Sequence, residues 1–245
     1  MRAQLLSDLH SCFYSNPIHF LESLEFVPDL DFLLLPGDLT VSCSQGKDKT
    51  KLVLDYLSGK ARHCVFLCGN HEYYHGTKEA AEGILESVMP YNFHWLRNTL
   101  EVIDGIKFFG GTMWFPDAPH NKMYEDQLSD FLVIKDFKKW VYEENKKFNE
   151  AARSLITDET IVLTHHLPAY RVVAPVFQGD NLNRFFVCEM TDLILDRKPP
   201  LWVYGHTHLP ADDMIGATRV VCFPYGYPSE CPLGPKSYKS VVFEI

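Results

Sequence analysis

The chain has 245 residues, 46% of them hydrophobic, with 23 Lys and Arg against 32 Asp and Glu and a formal net charge of -9. That length and apolar content suffice for one large core, and no Ser/Gly/Pro-rich linker interrupts it, so a single domain over residues 1–245 is expected. The acidic balance argues against a sequence-independent grip on nucleic acid, and no apolar run reaches the roughly 20 residues of a membrane span.

Met1-Arg2 leads directly into a short apolar strand, Ala3 to Leu6, so a removable signal peptide is not expected. Seven cysteines without a C-x-x-C pair signal neither a disulfide framework nor a zinc ribbon, and the expectation is reduced thiols in a cytoplasm. After Asn16-Pro17, residues Ile18 to Phe26 carry helical apolar spacing, with Pro17 suited to the first turn. Phe32 to Leu35 is a continuous apolar run, as in a strand buried on both faces, and ends in Pro36-Gly37-Asp38. A loop with Lys and Asp precedes a helix through Leu52, Leu54 and Leu57. Cys64 to Leu67 is the next strand, delivering Gly69-Asn70-His71-Glu72, and a helix begins near Lys78.

Leu100 to Ile103 and Lys107 to Phe109 flank Asp104-Gly105, a hairpin signal. Residues Thr112 to Ser129 form an irregular, aromatic-rich loop of the kind that is functional or disordered. A polar helix runs from Asp136 to about Ser154, and the strand Thr160 to Leu163 delivers His165 and His166. A second loop, Tyr170 to Asn183, precedes a helix over Phe185 to Leu195 and the strand Leu201 to Tyr204, which ends in Gly205-His206-Thr207-His208. Asp213 to Ile215, Thr218 to Phe223 and Val241 to Ile245 close the chain as β structure. Repeated βαβ units flanked by hairpins predict an α/β protein, a four-layer α/β/β/α sandwich of two mixed sheets with helices outside.

Five strand ends therefore carry Asp, Asn or His: Asp8 with His10, Asp38, Asn70 with His71, His165 with His166, and His206 with His208. Ligands in open α/β sheets gather at the carboxyl ends of strands, which is where these polar groups fall. Taken singly, Asp and Asn after a strand are ordinary caps and turn residues, and His206 and His208 alternate as two surface residues would. Taken together, they read as one metal site. Imidazole with carboxylate suits Mn, Fe, Zn or Co rather than an all-oxygen calcium cage, and one carboxylate has oxygens enough to span two cations.

Asp-x-His, Gly-Asp, Gly-Asn-His-Glu, Thr-His and Gly-His-x-His in this order resemble the calcineurin-like metallophosphoesterases, over Asp8 to His208. Gly110 to Phe115 and Thr218 to Tyr227 further resemble an uncharacterised bacterial and phage branch of that superfamily. The resemblance implies that fold and two divalent ions, Mn being the one expected to support activity. One ion is assigned to Asp8, His10 and His208, the other to Asn70, His165 and His206, with Asp38 bridging. It implies a metal-dependent phosphoesterase in which a dimetal-bridging hydroxide attacks phosphorus and His71 is the general acid. The protein Ser/Thr phosphatases of the superfamily continue Gly-Asp with a second Asp and an Arg-Gly. Here Val41, Ser42 and Cys43 stand at those places, and the Gly-Asn-His-Glu form resembles the phosphodiesterase-type branches instead.

His166 is a candidate for contact with substrate or with a ligand, and Glu72 for bracing the loop rather than binding metal. Trp114, Phe115, Tyr170 and Phe177 are candidate walls for a flat leaving group, although aromatic loop residues are often packing. His120 lies in the aromatic loop, and Arg171 or Arg184 is a candidate phosphate grip, although a solvated or salt-bridged arginine is commoner. His19, His63, His75 and His94 fall outside the pattern as surface or ordinary core residues, and the cysteines as small buried hydrophobes. The expected partner is a small phosphorylated or nucleotide-like substrate rather than a membrane. Two alternatives remain: a nuclease acting on nucleic-acid ends, which the acidic charge disfavours, and a non-catalytic scaffold of the same fold. A scaffold is expected to lose ligands, and all seven are present.

Overall fold

Alternation along each buried strand decides which layer a side chain joins. In the strand Leu30–Leu35 (β2), Phe32 and Leu34 face the interior between two sheets while Leu33 and Leu35 face helices. The computed structural model describes residues 1–230 and 240–245. Among them, Arg2–Leu5 (β1), β2, Ala61–Phe66 (β3), Phe93–Trp95 (β4) and Val241–Glu244 (β11) form one sheet in the order β11-β1-β2-β3-β4. The second sheet comprises Thr99–Ile103 (β5), Ile106–Gly111 (β6), Thr160–Thr164 (β7), Leu201–Tyr204 (β8), Ala211–Ile215 (β9) and Thr218–Cys222 (β10), in the order β5-β6-β7-β8-β10-β9. Both sheets are mixed: β11 pairs antiparallel with β1, and the hairpins β5/β6 and β9/β10 flank parallel β6-β7-β8-β10.

Three apolar clusters correspond to the three interfaces of an α/β/β/α sandwich. Leu5, Phe32, Leu34 and Val65 meet Phe108, Leu163, Val203 and Val221 between the sheets. Leu33, Leu35 and Phe66 pack on Pro17–Glu22 (α1), Ser42–Ser58 (α2) and Lys78–Val88 (α3) through Leu21, Leu54, Leu57 and Leu85. Phe109, Val162, Trp202 and Val220 pack on Val141–Leu155 (α5) and Thr191–Arg197 (α6) through Phe148, Leu193 and Ile194. Ser129–Val133 (α4) lies in the connection between β6 and α5. Six cysteines are free thiols, and Cys231 lies outside the described residues.

Several boundaries differ from those read in the sequence. Asn16 caps α1 as the Pro17 start requires, but the helix stops at Glu22 rather than Phe26, closed by a turn at Ser23. α2 already begins at Ser42 and bends at Gly46, whose φ of 79° breaks the helix inside the supposed loop. α5 begins at Val141 because Asp136 adopts a left-handed φ of 59° ahead of a 3-10 turn at Phe137–Lys139. The helix expected from Phe185 starts only at Thr191: Val187 bridges Leu167 in the manner of a strand, and this pairing overrides the helical spacing. The short strand β4 pairs with β3 and carries no sequence signal beyond its Phe and Trp.

Candidate metal centre

Parallel pairing points the carboxyl ends of β1, β2, β3, β7, β8 and β10 to one end of the sandwich, and the polar turns meet there. The ladders continue beyond the strands: Asp8 N–H donates to Gly37 O, His10 N–H to Asp38 O, Gly205 N–H to His165 O and Gly226 N–H to Asp8 O, at 2.9 to 3.1 Å. Asp8, His10, Asp38, His206 and His208 all adopt left-handed φ between 43° and 70°, which a non-glycine residue rarely takes and which clusters at functional sites. A Cβ on Gly69 would lie 2.1 Å from Asp38 Oδ1 and one on Gly205 2.6 Å from Asp8 Oδ2, so the glycines permit this close approach.

The side chains fall into two groups that share Asp38: Asp8, His10, Asp38 and His208, and Asp38, His165 and His206. Asp38 Oδ2 lies 3.6 Å from His10 Nε2 and 3.5 Å from His165 Nε2. Hydrogen bonding at the periphery fixes which atoms face inward. His165 Nδ1–H donates to the Pro36 carbonyl at 2.8 Å, which turns the Nε2 lone pair toward Asn70 Oδ1 at 3.0 Å. The Asn70 amide donates from Nδ2 to Asp130 Oδ1 at 2.8 Å, so its oxygen is the inward atom. His208 Nδ1–H donates to Glu230 Oε2 at 2.8 Å, and its Nε2 faces His10 Nε2 at 2.9 Å and Asp8 Oδ1 at 3.7 Å.

Acceptors thus point at acceptors. His206 Nε2 and Asp8 Oδ2 are buried with no hydrogen-bond partner. Such an arrangement is costly unless a cation sits among the lone pairs, and nitrogens about 3 Å apart suit adjacent ligands bound at ~2.1 Å. A carboxylate or carbonyl behind each of two histidines is the usual outer support of a metal-binding imidazole. These residues fit a pair of divalent cations.

Electrostatics agree. Burial lowers His10 and His206 well below the usual imidazole range, leaving the neutral rings that bind metals. Burial opposes ionisation of Asp38 too, but His165 and His71 beside it hold it well below the usual carboxylate range. Burial would lower His165, yet the Asp38 carboxylate raises it to about 9 when no metal is there to replace the proton. Glu72 is fully buried and accepts from the backbone N–H of Asp38, Leu39, Thr40 and Gly69, bracing two of the turns as expected.

His71 lies beside these groups, its ring edge-on to His10 at 4.4 Å. Its backbone N–H donates to Asp38 Oδ1 at 2.9 Å, its ring stacks on Tyr74 at 4.1 Å, and its Nε2 is 3.1 Å from the Tyr227 hydroxyl. It lines a cavity of about 330 Å³ together with Asp38, Asn70, His206 and His208.

The candidate substrate contacts fare differently. Trp114 is buried among Tyr73, Phe137 and Trp140, and Phe115 is likewise core. His166 is fully buried, donating from Nδ1 to the Thr112 carbonyl at 3.0 Å with its ring against His206, behind the ligand groups. His120 is exposed outside the cavity lining, and Arg171 is exposed and paired with Asp213 at 3.5 Å. Arg184 is tied to the carbonyls of Asn181 and Pro119. Of the four aromatic candidates, Phe177 alone lines the cavity. Asp130, Tyr74, Tyr227 and Glu230 also meet these groups and have no place in the sequence pattern of strand-end ligands. Tyr227 follows β10, a sixth strand end that was legible, whereas nothing local marks Asp130.

A family model described as calcineurin-like phosphoesterase matches residues 1–210. The chain belongs to the calcineurin-like phosphoesterase family. An uncharacterised protein of Acanthamoeba polyphaga mimivirus is 23% identical over 231 residues, covering 82% of this chain and 80% of that one. Among solved structures, phosphopantetheinyl hydrolase of Mycobacterium tuberculosis is similar with a TM-score of 0.70 and 15% identity, covering 94% of this chain and 91% of that one. A Thermus thermophilus protein is similar with a TM-score of 0.56 and 15% identity, covering 99% and 98%. At such identities the likeness is one of fold. The chain has two mixed sheets, outer helices and a buried His/Asp cluster, and no described helix is long and apolar enough to cross a membrane.

Proposed function

We propose that the chain hydrolyses a phosphoester at two divalent cations, one held by Asp8, His10 and His208, the other by Asn70, His165 and His206, with Asp38 shared. The observation that carries this is the position of Asp38 Oδ2, 3.6 and 3.5 Å from an imidazole of each group. Two cations there would supply an acidified water as nucleophile and positive charge for the phosphoryl oxygens.

The chain's own residues do the rest. His165 and His208 are oriented by Pro36 O and Glu230, and Asn70 by Asp130. Asp38 accepts from His71 N–H and so couples the shared carboxylate to the residue that handles protons. His71 protonates the departing oxygen from Nε2, the atom facing the Tyr227 hydroxyl, while Tyr74 stacked on its ring holds the imidazole plane. Among the described residues no arginine lines the cavity, in keeping with Ser42 standing where the protein phosphatases carry theirs.

The test is turnover of a chromogenic phosphodiester and the matching monoester by protein loaded with Mn, Fe, Zn or Co. Hydrolysis of at least one ester, abolished in Asp38→Ala, is expected. No turnover of either ester with any of these metals contradicts the assignment.

A further inference from the structure

The cavity beside the candidate metal centre is lined by one kind of residue that the chemistry does not use. Leu128, Leu167, Val173, Phe177, Leu182 and Phe186 form an apolar wall. The wall is continuous with the site, because Phe186 stacks on His206 at 4.3 Å and Leu167 N–H donates to Phe186 O at 3.0 Å. The remaining charged groups of the lining are carboxylates: Asp130, Asp180 and Glu230. Among the described residues, no Lys or Arg lines the cavity.

That distribution discriminates between phosphoesters. A monoester carries close to two negative charges at neutral pH, and sites that take such a group commonly add an arginine fork or a lysine. Here the charged groups that the described residues add to the lining, outside the ligand groups, are carboxylates, which repel additional negative charge. A diester carries a single charge and brings a second organic arm that needs a surface to lie on. An apolar wall rewards burial of that arm, at roughly 0.8 kcal/mol per methylene.

We propose that the cavity takes a phosphodiester of single negative charge whose uncharged, largely apolar arm lies against the Leu–Phe wall. This rests on the phosphoesterase function proposed above. It assigns Val173, Phe177 and Leu182 a role in specificity rather than in chemistry. It also disfavours polyphosphates, phosphopeptides rich in acidic residues, and nucleotides with terminal phosphates, which would bring further charge against Asp130, Asp180 and Glu230.

The experiment uses O-alkyl methylphosphonates, singly charged anions that resist hydrolysis, bound to the manganese-loaded protein and followed by calorimetry. Affinity is expected to rise about fourfold per methylene from methyl to hexyl, and the dianion methylphosphonate is expected to bind more weakly than the hexyl ester. Phe177→Ser and, separately, Leu182→Ser should flatten the chain-length trend; the ratio of hexyl to methyl affinity within each variant corrects for any general loss of binding. A flat series in the unaltered protein, or tightest binding by the dianion, overturns the proposal. Alkyl p-nitrophenyl phosphates run in parallel separate the two levels. A rising affinity series with no turnover of any ester would contradict hydrolysis while leaving the pocket assignment standing. Turnover with a flat series would do the reverse.

Discussion

Two clusters of histidine and carboxylate sit at opposite ends of the first sheet, and they differ in one physical respect. At the amino-terminal end, His63 and His94 join β3 and β4: His63 Nε2 meets Asp104 Oδ2, His63 Nδ1 meets His94 Nε2, and His94 Nδ1 meets Glu101 Oε2, each at 3.1 Å. Every ring nitrogen has a partner, and the histidine side chains are 22% and 23% exposed. At the carboxyl-terminal end, His10, His165 and His206 are buried, Nε2 of His206 has no partner, and Nε2 of His10 faces Nε2 of His208 at 2.9 Å. The residue types are the same in both places. What separates a structural cluster from a metal centre is unfulfilled valence in a dry place, together with five residues held at left-handed φ to aim it.

The largest effect that would sharpen this contrast is expected from Asp38→Ala. It removes the carboxylate common to both groups, and kcat/KM should fall at least about a thousandfold, the equivalent of ~4 kcal/mol of lost charge stabilisation. Metal analysis of the purified variant should show the loss of bound ions at the same time. His71→Asn comes next, with a drop of about a hundredfold or more and metal content unchanged. Loss of the metals in that variant would place His71 among the ligands and contradict its assigned role.

Asp130→Ala is expected to weaken metal affinity by roughly 10–100-fold, because the Asn70 amide loses the acceptor that keeps its oxygen inward. Asp130→Asn, which retains an acceptor oxygen, should restore most of it. A titration of metal affinity in the two variants distinguishes this orienting role from general destabilisation.

These residues also mark the limit of what a sequence displays. Each proposed ligand follows an apolar run that is visible without coordinates, so the turns after β1, β2, β3, β7 and β8 could be named. Asp130 sits in α4, 60 positions from Asn70, in a stretch with no periodic signal, and only the fold brings the two together. The place of Trp114 and Phe115 in a long loop suggests walls for a substrate. Their size instead makes them core, packed against Phe137 and Phe185. Val187 shows the same limit for the fold, where a helical pattern yielded to a bridge with Leu167.

A smaller effect concerns pH. Burial lowers His166 to about 3, so this ring stays neutral in the folded protein where it would be protonated in the unfolded chain. Its contribution to stability is complete above about 6.5 and is lost as pH falls from there toward 3. Urea midpoints of the metal-free protein should therefore decline across that window, and less steeply in His166→Gln. The smallest effect belongs to the other cluster: His63→Ala or His94→Ala should cost no more than about 1 kcal/mol in urea unfolding and leave metal content and turnover unchanged.

The central claim is most directly tested by anomalous diffraction from crystals grown with manganese. Two peaks flanking the Asp38 carboxylate are expected, one bounded by His10 and His208 and the other by His165 and His206, with none at His63 and His94. A single peak remote from Asp38, or density at His63 and His94 instead, would contradict it.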